Sequence, residues 1–141
     1  MDFHRNCMLA LTALIALAVW FPGAAKGERT VDVDLSACNR GITYAQMIQV
    51  CKTPEDYDGK LFRVKGKFNY SQAHDLARII FSDSTGCCEI ALAFQPAQQL
   101  LYPDDYPQLW GDLQISARLT VDRSDEDMPC RFTDAVIEPE K

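Results

Sequence analysis

Histidine is almost absent from this 141-residue chain: His4 and His74 are the only two. His4 lies ahead of a long apolar run, so one imidazole is left for the folded part, which limits acid and base chemistry near neutral pH. The chain also lacks a Gly-x-Ser-x-Gly nucleophile elbow, a phosphate-binding glycine loop, a paired-histidine motif and a Cys-x-x-Cys motif. The usual signatures of hydrolases, nucleotide-binding enzymes, zinc peptidases and thioredoxin-like enzymes are therefore missing. Positive charge is in deficit too. Fourteen Lys and Arg face twenty Asp and Glu, a net charge of −6. Such a chain repels phosphate backbones, which disfavours nucleic acid as a partner. The sequence reads as non-enzymatic, with no catalytic residue to nominate.

Long apolar runs are scarce as well. The one present, Met8 to Phe21, follows Arg5 and precedes the small-residue stretch "PGAAKG". This is the layout of a secretory signal peptide over residues 1–25, with cleavage expected after Ala25. The run is shorter than the roughly 20 apolar residues that span a bilayer, so no stable membrane span is expected after cleavage. The mature chain is expected to be periplasmic or secreted, and the loss of Asp2 and Arg5 leaves its charge at −6. About a hundred residues remain, enough for one domain with one apolar core.

Residues 26–54 read as a polar leader followed by a short helix. In "TYAQMIQVC", Thr43 and Gln46 have the spacing of a capping box, and Tyr44, Met47, Ile48 and Cys51 form one apolar stripe at helical period. From residue 55 to residue 138 the period changes to two. "LFRVKGKFNY" alternates strictly, with Gly66 marking a bend, and further strands are expected at "ARIIFSD", "CCEIALAFQ", "DLQISARLTVD" and "CRFTDAVIE". Pro96 suits the first turn of a short helix that must stop before Pro103. Residues 139–141 form a charged tail. The predicted fold is all-β: a five-stranded OB-type Greek-key barrel with a short helix between strands three and four and an N-terminal helix.

Taken in order, "YDGKLFRVKGKF", "CCEIALAF", "YPDDYP" and "GDLQISARLTVD" resemble a family of small exported bacterial OB-type proteins of unassigned function. The Cys-Cys element also resembles one in the OB-like part of bacterial membrane proteins associated with permeases, a likeness that implies metal handling. The resemblance covers about residues 55–138, and its short motifs imply a fold more than a function.

Five cysteines follow the expected cleavage point: Cys38, Cys51, Cys87, Cys88 and Cys130. In an exported chain their default use is disulfides, and an odd count leaves one over. An OB barrel closes strand three against strand five in parallel, which brings Cys130 toward the Cys87-Cys88 pair. Alternation points Cys88 inward and Cys87 outward, so Cys88–Cys130 is the better-aligned bond and Cys87–Cys130 the other. Cys38–Cys51 would then pin the leader to the helix. Three alternatives stand beside this: a vicinal Cys87–Cys88 bond, the helix cysteine reaching the barrel, and a metal on Cys87, Cys88 and Cys130. Thiolates would select zinc or copper(I), although adjacent cysteines supply a tetrahedral site poorly. His74 reads as a solvated loop residue, and the acidic run Asp122, Asp125, Glu126 and Asp127 lacks the pattern of a calcium loop.

The leading expectation is a binding module without a cofactor, for a small ligand, a peptide or an envelope protein. Its face is expected on strands two and three with the loops at 69–76 and 122–129, offering Tyr70, Arg78, Phe81, Glu89 and Arg131. A zinc- or copper-handling protein and a thiol-redox accessory are the two other classes.

Overall fold

A computed structural model describes residues 29–139. The expected signal peptide and the end of the expected tail, residues 140–141, lie outside the described residues. The elements run β1 (Val33–Asp34), α1 (Arg40–Lys52), a 3-10 turn (Pro54–Tyr57), β2 (Leu61–Ser71), β3 (Leu76–Ser82), β4 (Glu89–Pro96), β5 (Asp112–Val121) and β6 (Cys130–Glu138).

β2 to β6 form a closed ring. β2 pairs antiparallel with β3 and with β5, β3 with β4, and β5 with β6, while the parallel pairing of β4 with β6 completes the circuit. This is the five-stranded OB-type barrel that the alternation predicts. Its interior holds Phe62, Val64 and Phe68 from β2, Ile79 and Phe81 from β3, Leu92 and Phe94 from β4, Leu113, Ile115 and Leu119 from β5, and Phe132 from β6. β2 serves both neighbours by bending: Leu61 to Lys67 pair with β5, and Lys67 to Ser71 pair with β3. Gly66 sits at that changeover, where a Cβ would lie 2.6 Å from the Ile80 carbonyl oxygen and 2.8 Å from Ile79 Cγ1. Only glycine lets the two strands approach so closely.

The leader does more than lie over the surface. Val33 and Asp34 pair in parallel with Phe62 and Arg63, on the stretch of β2 that β3 does not reach, and Leu35 enters the core. The helix also starts earlier than the expected capping box. Asn39 is its N-cap, accepting the Ile42 N–H at 2.9 Å, because an Asn side chain satisfies the open N–H groups of a first turn. Thr43 lies inside the helix, and the buried face is Thr43, Met47 and Val50. This stripe is rotated from the expected one, leaving Cys51 exposed.

The short helix expected after Pro96 is not formed. Residues 97–111 are a chain of turns. Pro96 ends β4, opposite Ala135, and the Ala97 N–H continues that pairing by donating to the Ala135 carbonyl at 2.9 Å. Asp105 then takes up the Leu101 N–H with its carboxylate and donates its own N–H to the Leu101 carbonyl. This single i→i−4 bond closes one turn that is not propagated into a helix. Tyr102 and Tyr106 of this loop close the barrel end. Tyr106 stacks on Phe68 at 5.2 Å and Tyr102 on Tyr70 at 4.0 Å, with Phe94 tilted against Tyr106.

Candidate functional site

On β3 the side chains of Ala77, Ile79 and Phe81 belong to the core, so alternation turns Arg78, Ile80 and Ser82 outward. Ile80 is nevertheless only 7 % exposed, because it floors a cleft of about 510 Å³ on the outer side of β2 and β3. Lys65 and Lys67 project from β2 on either side of Gly66. Asp112 and Trp110 come from the start of β5 and the turn before it, Ser82 and Glu89 from the facing ends of β3 and β4, and Cys38, Arg40 and Thr43 from the start of α1. The volume falls in the range of small-molecule sites, roughly 300–1,000 Å³.

Charge in the cleft runs against that of the chain, with three cations facing two carboxylates. Lys67 is paired with Asp112 at 2.8 Å, and this hydrogen bond, helped by the Lys67 and Lys65 charges, holds the Asp112 carboxyl below its ordinary range. Glu89 accepts from the Ser82 hydroxyl at 3.0 Å. Arg40 donates to the Ser84 carbonyl at 3.0 Å. Lys65 makes no salt bridge among the described residues and is exposed. Trp110 has φ 64, a left-handed conformation that costs a bulky residue about 1–3 kcal/mol and that clusters at functional sites. The hydrogen bond from its N–H to the Phe68 carbonyl, 2.8 Å, holds it there with the indole 55 % exposed. An ammonium without a partner beside an open aromatic face can hold a planar anionic group.

The five residues expected on one binding face do not assemble. Tyr70 and Phe81 have the inward phase, and Tyr70 donates its phenol proton to Asp75, a bond that pushes its pKa up to about 12. Phe81 is buried and reaches the cleft only as part of its wall. Arg78 points outward with its Nε buried and without a hydrogen-bond partner among the described residues. Arg131 is bound to Asp122 at 2.9 Å, across from Thr120. Glu89 alone keeps the role of a polar cleft residue. Residues 78 and 81 differ by an odd number, so a strand cannot present both on one face. Lys65, Lys67 and Trp110 were absent from the expected face; the signal for the lysines was "VKGKF", two cations on the solvent side of a kinked strand.

All five cysteines of the described residues are free thiols, and neither expected bond has the geometry to form. Cys38 precedes the N-cap of α1 and Cys51 lies in its last turn, so the helix holds them about 18 Å apart at 1.5 Å per residue, whereas a disulfide needs Cα atoms within about 7 Å. Phe94 faces Phe132 across β4 and β6; continuing that register sets Cys130 opposite Leu92, four residues and about 13 Å along the strand from Cys88. The topology does bring strand starts together, but the stagger of the barrel separates these two. Cys87 and Cys88 are both exposed, since β4 begins only at Glu89. The turn before it is organised by Asp83, whose carboxylate accepts from the Thr85 hydroxyl and N–H and from the Cys87 N–H at 3.0 Å. These bonds, the Thr85 hydroxyl foremost, lower the Asp83 pKa. Cys88 sits near Tyr44 of α1, whose phenol pKa is raised by lost hydration and then by Cys88 and Asp83.

Cys130 meets Cys51 instead. The two thiols are neighbours, each the leading influence on the other's pKa; they are the pair named by the alternative in which the helix cysteine reaches the barrel, and both are free. The set Cys87, Cys88 and Cys130 is not gathered, and among the described residues no group of three or more His, Cys, Asp or Glu side chains is placed to hold a metal ion. His74 is exposed on the β2–β3 turn, with Nδ1 3.0 Å from the Ser71 hydroxyl. No protein-family model, curated protein or solved structure matches the chain.

Proposed function

We propose that this chain is an exported, non-enzymatic binding module of OB architecture, working in the periplasm or as a secreted protein, whose cleft takes a small anionic ligand with a planar group. The cleft carries the proposal: a Lys65 ammonium with no salt bridge among the described residues and the open Trp110 indole line one cavity on an otherwise acidic chain. Arg40 and Lys67 supply further cations on its walls. The sequence of residues 1–25 supports export.

A titration of the isotope-labelled chain with aromatic carboxylates and aryl phosphates, followed by amide and indole chemical shifts, tests this reading. Saturable shifts are expected at Lys65, Lys67, Ser82 and the Trp110 indole. Lys65→Glu is expected to weaken binding about tenfold or more, the loss of one charge-assisted contact. Saturable shifts confined to β6, or binding indifferent to Lys65→Glu, would refute it.

A further inference from the structure

The 3-10 turn that follows α1, with the two residues after it, is lashed to the end of the barrel where β5 stops and β6 starts. The Asp58 carboxylate accepts the Val121 N–H at 3.0 Å, and Val121 is the residue paired with Cys130. The Gly59 N–H donates to the Leu119 carbonyl at 2.8 Å, and Arg123 is bonded to Glu55. These ties bring the end of α1 toward the start of β6, and there Cys51 and Cys130 are neighbours, each the leading influence on the other's pKa. The two residues are unlike in access: Cys51 is exposed and Cys130 is buried. Cys88 lies with Tyr44, in the first half of α1, and Cys38 precedes that helix, so neither competes for this position.

We propose that Cys51 and Cys130 form a dithiol site that closes into a disulfide between α1 and β6 by exchange with a disulfide-bearing oxidant. The hydrogen bond from Cys51 lowers the Cys130 thiol to about 7, against burial and the Glu55 charge, which act to raise it. The Cys51 thiol, as the donor, is raised. In the first step the Cys130 thiolate acts as base, taking the Cys51 proton as the Cys51 sulfur attacks the oxidant. A bond from Cys51 Sγ to one oxidant sulfur forms, the oxidant S–S bond breaks, and one thiolate leaves. Cys130 then loses the proton to water and attacks Cys51 Sγ, expelling the second thiolate. Starting from one thiol and one thiolate, the protein gives up two electrons and one proton, and the two departing thiolates become thiols by taking that proton and a second one from water. Residue exposure assigns the order, because Cys51 is the member of the pair that lies at the surface.

Tryptic mapping tests the site directly, since peptides 41–52 and 124–131 each carry one cysteine while Cys87 and Cys88 share peptide 79–118. The full chain is reduced, equilibrated with oxidised glutathione, alkylated and digested without reductant. The expected product is peptide 41–52 joined to 124–131, lost in Cys51→Ser and in Cys130→Ser but retained in Cys38→Ser and in Cys87→Ser. In Cys130→Ser a glutathione adduct is expected to accumulate on Cys51, whereas Cys130 of Cys51→Ser stays unmodified over the same time. Alkylated Cys51 and Cys130 after the other thiols have reacted, or Cys130 joined to peptide 79–118, would overturn the site. An adduct forming first on Cys130 would overturn the order.

Discussion

Replacing Gly66 by alanine tests the geometry that closes the barrel. The new methyl carbon would stand 2.6 Å from the Ile80 carbonyl oxygen and 2.8 Å from Ile79 Cγ1, where carbon–carbon contacts are ordinarily about 3.5–4.0 Å. Neither neighbour can yield cheaply. Ile79 is fully buried, and Ile80 is paired with Lys67 in the β2–β3 ladder. The strands must part by several tenths of an ångström where β2 changes partners. Overpacking of this kind costs roughly 1–3 kcal/mol, and a weakened ladder bond adds about 1 kcal/mol. Restricting the unfolded chain returns about 0.4–1 kcal/mol. The net loss is about 1–3.5 kcal/mol, a fall in Tm centred on about 10 °C for a domain of this size. Gly86→Ala provides the control. Its φ is 74 and nothing lies within 4 Å of a Cβ, so only backbone strain of about 1 kcal/mol applies. Thermal and urea unfolding followed by circular dichroism measure both. If Gly66→Ala loses no more than Gly86→Ala, close strand approach is not what holds β2 bent.

Two further perturbations probe the two ends of the chain's architecture. Tyr106→Ala removes the ring stacked on Phe68 and is expected to cost about 2 kcal/mol in urea unfolding, below the value for a fully buried aromatic because Tyr106 is only half-buried; an unchanged midpoint would show that the loop does not seal the barrel. Burial pushes the Glu138 carboxyl up, but hydrogen bonds from Ser116, Gln114 and Arg63 outweigh it and the net shift is down from 4.5. Because the folded pKa is the lower one, its contribution is complete above the ordinary value and is lost as pH falls through the folded pKa. Glu138→Gln is therefore expected to flatten the fall of the urea midpoint between about pH 6 and about pH 3, and parallel curves for the two proteins would contradict it.

The Glu138 hydrogen bonds, the bend of β2 and the sealed barrel end all serve to hold the outer face of β2 and β3 still. That face is where Lys65 and Trp110 are displayed. A rigid scaffold with its polar groups fixed in advance loses little entropy on binding a small ligand. Cys51, at the far end of α1, lies on the same helix that supplies Arg40 and Thr43 to the cleft.

Much of the barrel was legible in the chain because alternation is a relation between neighbours. Phe62, Val64 and Phe68 had to share a face, and Gly66 among them had to mark a bend, whatever the rest of the molecule did. Lys65 and Lys67 were likewise bound to point outward. Sequence alone also settled the parity that divides Arg78 from Phe81. The tyrosine loop shows where local rules stopped: Pro96 suits a helix start, but closing β4 against Ala135 held it in the strand. The cysteines show it more sharply. Spacing named five candidates, yet α1 as a rigid rod parts Cys38 from Cys51, and the stagger of β4 against β6 parts Cys88 from Cys130. Only the tertiary structure decided that Cys51 meets Cys130 and that α1 walls a cleft, because register and the meeting of distant elements depend on how every strand around a closed ring packs at once.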